Sequence, residues 1–194
     1  MNFPLQLTFK IIAIAPQLTV TDAQGEVQAY VQQKLFKLKE AVTVYSDANK
    51  QRVNFEIKAD RIIDFSTRYN FRNAEGTKVG SVKRRGMRSL WRATYEVYDA
   101  DDSLIFTIAE ANPWAKMIDS VLGNVPVLGF LTGYFLHPSY NVLQNDKKVA
   151  SMAKQAAFFE GRFRIDRHEP LPEEDEQRVL LGLLMLVLME RERG

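Results

Sequence analysis

The chain has 194 residues, 46% of them apolar and 26% charged, no cysteine, and a net charge of +2. That length suits one domain, 1–194, able to bury a sizeable core, and the composition is that of a soluble globular protein. The lack of cysteine excludes a disulfide framework and thiolate catalysis, and it agrees with a cytoplasmic chain.

The start, Met1-Asn2-Phe3-Pro4, has no basic region, and the apolar run Ile11 to Ala15 is short, so no signal peptide is expected. From there to Asp102 one unit recurs: an alternating run, a polar turn and a second alternating run. The turns are Asp22-Ala23-Gln24-Gly25, Asp47-Ala48-Asn49-Lys50, Asn73-Ala74-Glu75-Gly76 and Asp99-Ala100-Asp101-Asp102, starting 25, 26 and 26 residues apart. Asp or Asn opening a turn bonds its own backbone, and Gly three residues later supplies a left-handed position. Val42 and Val44, Phe55 and Ile57, Tyr69 and Phe71, then Trp91, Ala93, Tyr95 and Val97, and Leu104, Phe106 and Ile108 alternate with polar residues. Period two marks strands with one buried face. Hairpin after hairpin, with no helix between, predicts an antiparallel meander that curls on itself.

Asn112-Pro113 changes the pattern, as an N-cap followed by a residue suited to the first helical position. Trp114, Met117, Ile118, Val121 and Leu122 form a helical stripe, predicting a short amphipathic helix at 113–122. Val125 to Leu136 is nearly all apolar, a buried connection or a contact surface. Strands resume at Tyr140 to Leu143, turn at Asn145-Asp146-Lys147-Lys148, and return at Val149 to Ala153, with a last strand at Ala157 to Ile165.

The eleven residues Val179 to Met189 contain no polar side chain. Leu and Met favour helix, Glu173 to Glu176 place negative charge at its start, and Arg191 and Arg193 place positive charge at its end. A surface helix keeps a polar stripe, and this one has none. Eleven residues rise only about 16 Å, short of the roughly 30 Å hydrocarbon core. The segment is predicted to be enclosed by protein. About twelve strands closed into a barrel leave room for such a helix in the middle, and closure removes exposed strand edges. The predicted fold is mainly β: a closed antiparallel barrel of about twelve strands around a central hydrophobic C-terminal helix. Gly182 marks a place where the wall is expected to come close.

These residues resemble the Tubby C-terminal-like superfamily, in its LURP-one-related and phospholipid-scramblase-like branch. The resemblance is carried by Leu35-Phe36-Lys37-Leu38-Lys39 with Tyr45-Ser46-Asp47, and by Tyr69-Asn70-Phe71-Arg72-Asn73-Ala74-Glu75-Gly76. Gly80-Ser81-Val82-Lys83-Arg84, Trp91 to Asp99, Pro138-Ser139-Tyr140-Asn141-Val142 and the apolar terminal helix complete it. It implies a twelve-stranded barrel around a central helix, and recognition of phosphoinositide head groups by basic residues. The proline-rich region, cysteine cluster and calcium-binding acidic segment of scramblases are not found, which weighs against lipid scrambling.

The functional candidate is the basic middle. Lys50 to Arg92 holds twelve basic and four acidic residues, whereas Asp166 to Gly194 holds eight acidic and four basic. Lys83, Arg84, Arg85 and Arg88 are expected in or near a turn. Arg68, Asn70 and Arg72 share a strand face opposite Tyr69 and Phe71. With Arg92 these cations are the candidate site for an anionic ligand, a phospholipid head group or a membrane surface, since guanidinium offers phosphate a planar fork. The plainer alternative is solubility and edge protection by outward Lys and Arg. A protein-interaction scaffold using Val125 to Leu136 or a barrel end is the second function considered. Nucleic acid ranks lower, for want of a recognisable motif. Catalysis is disfavoured. His137 and His168 lack metal-ligand spacing, and neither a glycine-rich phosphate loop nor a nucleophile elbow occurs, so no cofactor or metal is expected.

Overall fold

A computed structural model describes residues 1–10, 17–32, 41–60, 67–85, 94–111, 139–156 and 160–191. The helix expected at 113–122, the run Val125 to Leu136, and Arg88 and Arg92 lie outside these residues.

Twelve strands are described: β1 Leu5–Lys10, β2 Gln17–Thr21, β3 Val27–Gln32, β4 Val42–Tyr45, β5 Val53–Ala59, β6 Arg68–Asn73, β7 Lys78–Arg84, β8 Thr94–Tyr98, β9 Leu104–Glu110, β10 Ser139–Gln144, β11 Lys147–Gln155 and β12 Glu160–Arg167. Each pairs antiparallel with its neighbours in sequence, and β1 also pairs with β12, with Leu5 opposite Ile165 and Lys10 opposite Glu160. The meander is thus a closed barrel without a free edge. The helix α1, Glu173–Arg191, occupies its interior.

The predicted turns share one construction. Asp22 Oδ1 accepts the amides of Gln24 and Glu26, each at 3.0 Å. Asp47 Oδ1 accepts Asn49 N, Asn73 Oδ1 accepts Thr77 N, and Asp99 Oδ1 accepts Asp101 N and Ser103 N. The fourth residue of each turn, Gly25, Lys50, Gly76 or Asp102, has a φ between 59° and 85°. The tenth strand ends more tightly than the sequence suggests. Asn145 and Asp146 alone form the turn, both with positive φ, and Lys147 already pairs with Gln144. Two such residues match the right-handed strand twist.

A β-bulge follows every one of these five turns. The register slips at Val20/Thr21, Val44/Tyr45, Phe71/Arg72, Val97/Tyr98 and Val142/Leu143, leaving Gln28, Asn54, Val79, Ile105 and Val149 as the extra residue on the returning strand. Five bulges at one end tighten the local twist and bend the strands there. Because strands alternate in direction, the five turns and the β12–α1 link share this end, and α1 enters the barrel through it.

Inside, Val42, Val44, Ile57, Phe71, Val82, Tyr95, Val97, Phe106 and Ile108 are all buried, in agreement with the period-two reading. Phe55 and Tyr69 are half-buried against the same core, and Leu104 is the departure. It lies beside the fourth turn and is 54% exposed, ahead of the bulge that sets the inward face. Val179 to Met189 is buried throughout, Gly182 included. A Cβ on Gly182 would lie 3.0 Å from Val97 Cγ2 and 3.2 Å from Ile108 Cδ1, so the wall at β8 and β9 presses against the helix as expected. Gly80 performs the reciprocal service on β7. A Cβ there would stand 2.6 Å from the Tyr98 carbonyl oxygen and 3.4 Å from Arg178 Cγ.

Among the described residues no helix is long and apolar enough to cross a membrane.

Candidate functional site

The alternation of β6, β7 and β8 decides where the basic residues point. Phe71, Gly80, Val82, Tyr95 and Val97 face the helix, so Arg68, Asn70, Arg72, Lys78, Ser81, Lys83, Glu96 and Tyr98 face outward. Arg68 lies opposite Lys83, and Lys83 opposite Glu96. With Lys58 from β5 and Arg85 just beyond β7, this wall carries six cations against the carboxylates of Glu56, Glu96 and Asp102.

Arg68 is the most constrained of the six. Its guanidinium carbon stands 4.4 Å from the centroid of the Tyr98 ring, a cation–π distance, and its Nη1 pairs with Asp102. Lys78 Nζ reaches the same Asp102 oxygen at 2.7 Å. The hydrogen bond from Lys78, followed by the charges of Lys78 and Arg68, holds the Asp102 carboxyl below its ordinary pKa. Tyr98 donates to Glu96 Oε2 at 2.8 Å, and its phenol is pushed up by burial and then by that bond. Arg72 donates to the Gly76 carbonyl at 2.8 Å, and Arg85 Nε is 3.8 Å from Glu96 while its side chain stays 73% exposed. Lys83 has no side-chain partner among the described residues.

Arg84 does not join this wall. Lys83 and Arg84 are strand residues rather than turn residues, so they point to opposite faces, and Arg84 shares the inner face with its register partner Tyr95. Its Nε is buried without a hydrogen bond among the described residues. It belongs with a polar lining around the C-terminal end of α1. There Tyr95 donates to Glu190 Oε1 at 2.6 Å, with Tyr140 and Glu110 on the same face. Burial, then the Glu190 charge, raises the Tyr95 pKa well above the ordinary tyrosine range, and Arg84 partly offsets that; burial and the same charge raise Tyr140. Of the predicted cations, then, Arg68, Arg72, Lys83 and Arg85 come together on a convex outer wall.

At the turn end, sequence reasoning missed a cleft of about 720 Å³ between the mouth of the barrel and the first turns of α1. Arg52, Asn54, Phe55, Lys78, Gln177 and Arg178 are among its lining residues. Asn54 and Val79, the extra residues of their hairpins, both line it. Arg178 is fully engaged: its Nε donates to the Val79 carbonyl at 2.7 Å and its two terminal nitrogens to Asp175 and Glu174. Lys78 links the cleft to the outer wall. No one-dimensional signal marks the cleft, because its lining comes from two turns, the starts of β5 and β7, and a helix.

At the same end Glu176 is buried within α1 and pairs with Arg167. On the wall away from the cleft, Ser151 Oγ and His168 Nε2 are 2.8 Å apart. The carboxylate facing Ser151 across the register, Asp166, is held by Arg164 at 2.9 Å. Among the described residues no group of three or more His, Asp or Glu is placed to hold a metal.

A helix-plugged antiparallel barrel with a charged wall and a cleft at its mouth has the build of a binding module. Residues 27–168 match the LURP-one-related family model, and the chain belongs to that family. The match takes in β3 to β12, while β1, β2 and α1 complete the closed barrel and its core. No curated protein and no solved structure matches the chain.

Proposed function

We propose that the protein is a non-enzymatic binding module that engages an anionic phospholipid surface through the outer wall of β6, β7 and β8. The observation that carries this is the convergence of Arg68, Arg72, Lys78, Lys83 and Arg85 on one outward face, with Lys83 unpartnered among the described residues and Arg85 mostly exposed. A convex basic wall suits a flat, multivalent surface better than a small buried ligand. The resemblance to Tubby-like domains supports the same ligand chemistry. Each basic residue near an anionic leaflet is worth about 1 kcal/mol, so three or four hold the domain there reversibly and in a salt-dependent manner.

The test is co-sedimentation with phosphatidylserine-containing vesicles at low and physiological salt. Wild-type protein is expected to pellet with anionic but not neutral vesicles. The triple variant Arg72→Ser, Lys83→Ser, Arg85→Ser is expected to bind roughly 100-fold more weakly. Absence of binding at low salt, or binding indifferent to the triple substitution, overturns the proposal.

A further inference from the structure

Resting on that function, we propose that the Asp102 turn is an autoinhibitory plug, its carboxylate occupying the seat between Arg68 and Lys78 that a phosphate would take. Three observations meet at this point. One Asp102 oxygen is shared by Arg68 Nη1 and by Lys78 Nζ, the latter at 2.7 Å, so two cations from neighbouring strands converge on a single anionic atom. The Tyr98 ring under the Arg68 guanidinium gives that cation a second contact that does not involve the carboxylate. Between Asn70 and Tyr98 in the register, on the same outward face, lies Ser81; its hydroxyl is wholly buried and has no hydrogen-bond partner among the described residues. A buried hydroxyl left unpaired costs free energy, and its register neighbour Tyr98 is the ring that carries the Arg68 guanidinium.

Asp102 is not needed for the turn that carries it. The Asp99 side chain accepts the turn amides, and Asp102 contributes its backbone at φ 65°. Asn adopts that conformation as readily as Asp. The side chain is free to serve as a tethered anion, half exposed and able to swing away. A tethered group competes at an effective concentration of the order of millimolar. It therefore masks the seat from sparse monovalent phosphate and yields to a surface that presents many phosphates at once.

The full-length chain is compared as wild type, Asp102→Asn and Asp101→Asn. The last is a charge-matched control whose side chain touches neither cation. Binding is measured to phosphatidylcholine vesicles doped with phosphatidylserine, and to inorganic phosphate by chemical-shift titration. Asp102→Asn is expected to bind roughly five-fold more tightly than wild type, the effect of freeing a seat that is open about one-fifth of the time, with a clearly smaller gain for Asp101→Asn. A gain on vesicles identifies a lipid head group as the source of the phosphate, and a gain on inorganic phosphate alone identifies a soluble ligand; either supports the plug. Equal gains for the two variants overturn it, as an effect of bulk charge. Wild-type binding with no gain for Asp102→Asn overturns the plug and leaves the proposed function standing. If no variant binds either probe, the proposed function falls and the plug with it.

Discussion

Replacing Gly80 and Gly182 one at a time with Ala tests how the helix is seated in the barrel. Both substitutions remove the conformational freedom of glycine from the unfolded chain, a gain of about 0.4–1 kcal/mol. In the helix, Gly182→Ala adds a propensity gain of up to about 1 kcal/mol on an overlapping basis. Against this, its Cβ meets two side-chain methyls at 3.0 and 3.2 Å, and Val97 and Ile108 each have to give by a few tenths of an ångström. The Cβ of Gly80→Ala meets a backbone oxygen at 2.6 Å, the Tyr98 carbonyl. That atom moves only if β8 moves, and overpacking of this kind costs about 1–3 kcal/mol. Gly182→Ala is therefore expected within about 1 kcal/mol of wild type, whereas Gly80→Ala is destabilised by about 1–2 kcal/mol after its entropic gain. Urea denaturation followed by tryptophan fluorescence reads both midpoints, and comparison of slopes checks that the unfolded states match. A neutral Gly80→Ala, or a Gly182→Ala more damaging than Gly80→Ala, refutes the stated approach of wall and helix.

Leu183→Asp is expected to prevent folding, because a buried charge without a partner costs several kcal/mol; a cooperative melt near the wild-type temperature speaks against an enclosed helix. Asp22→Ala should cost about 2–3 kcal/mol and Asp99→Ala about 1–2. Both lose two amide bonds, but Asp22 Oδ2 also accepts from Gln28 at 3.1 Å and from Asn2, and thermal melts of the two variants should rank in that order. Tyr95 and Tyr140 have folded pKa values raised above their unfolded value of about 10. The stability they contribute is complete below pH 10 and is lost as pH rises further, because only the unfolded chain then releases those protons. Urea midpoints from pH 8 to 11 should fall at the alkaline end, and less steeply for Tyr95→Phe/Tyr140→Phe; an equal slope refutes the assignment.

The barrel and its plug are legible in the sequence because both rest on local periodicity. The spacing of Asp22, Asp47, Asn73 and Asp99 announces the hairpins, since a short polar side chain can cap its own turn only from the first position. The lack of any polar residue from Val179 to Met189 requires enclosure, and the strand count supplies a container of the right width. Even the inward placement of Arg84 follows from Val82 two residues earlier. A run of three cations instead suggests a turn, and composition there outweighed alternation.

Other features were decided only when the strands came together. Each of the five bulges slips the register by one residue, and such a slip decides which side chains face water. Nothing in the sequence near Gln28, Asn54 or Val79 announces it. The cleft is lined by residues of two of those bulges and of α1, so it exists only once they meet. Asp102 meets Arg68 across 34 positions of sequence, and its turn reads as one more hairpin until β6, β7 and β8 lie side by side. Local chemistry specifies the turns and the apolar helix. The charge that masks the basic wall is set by strand register, a property of the closed barrel as a whole.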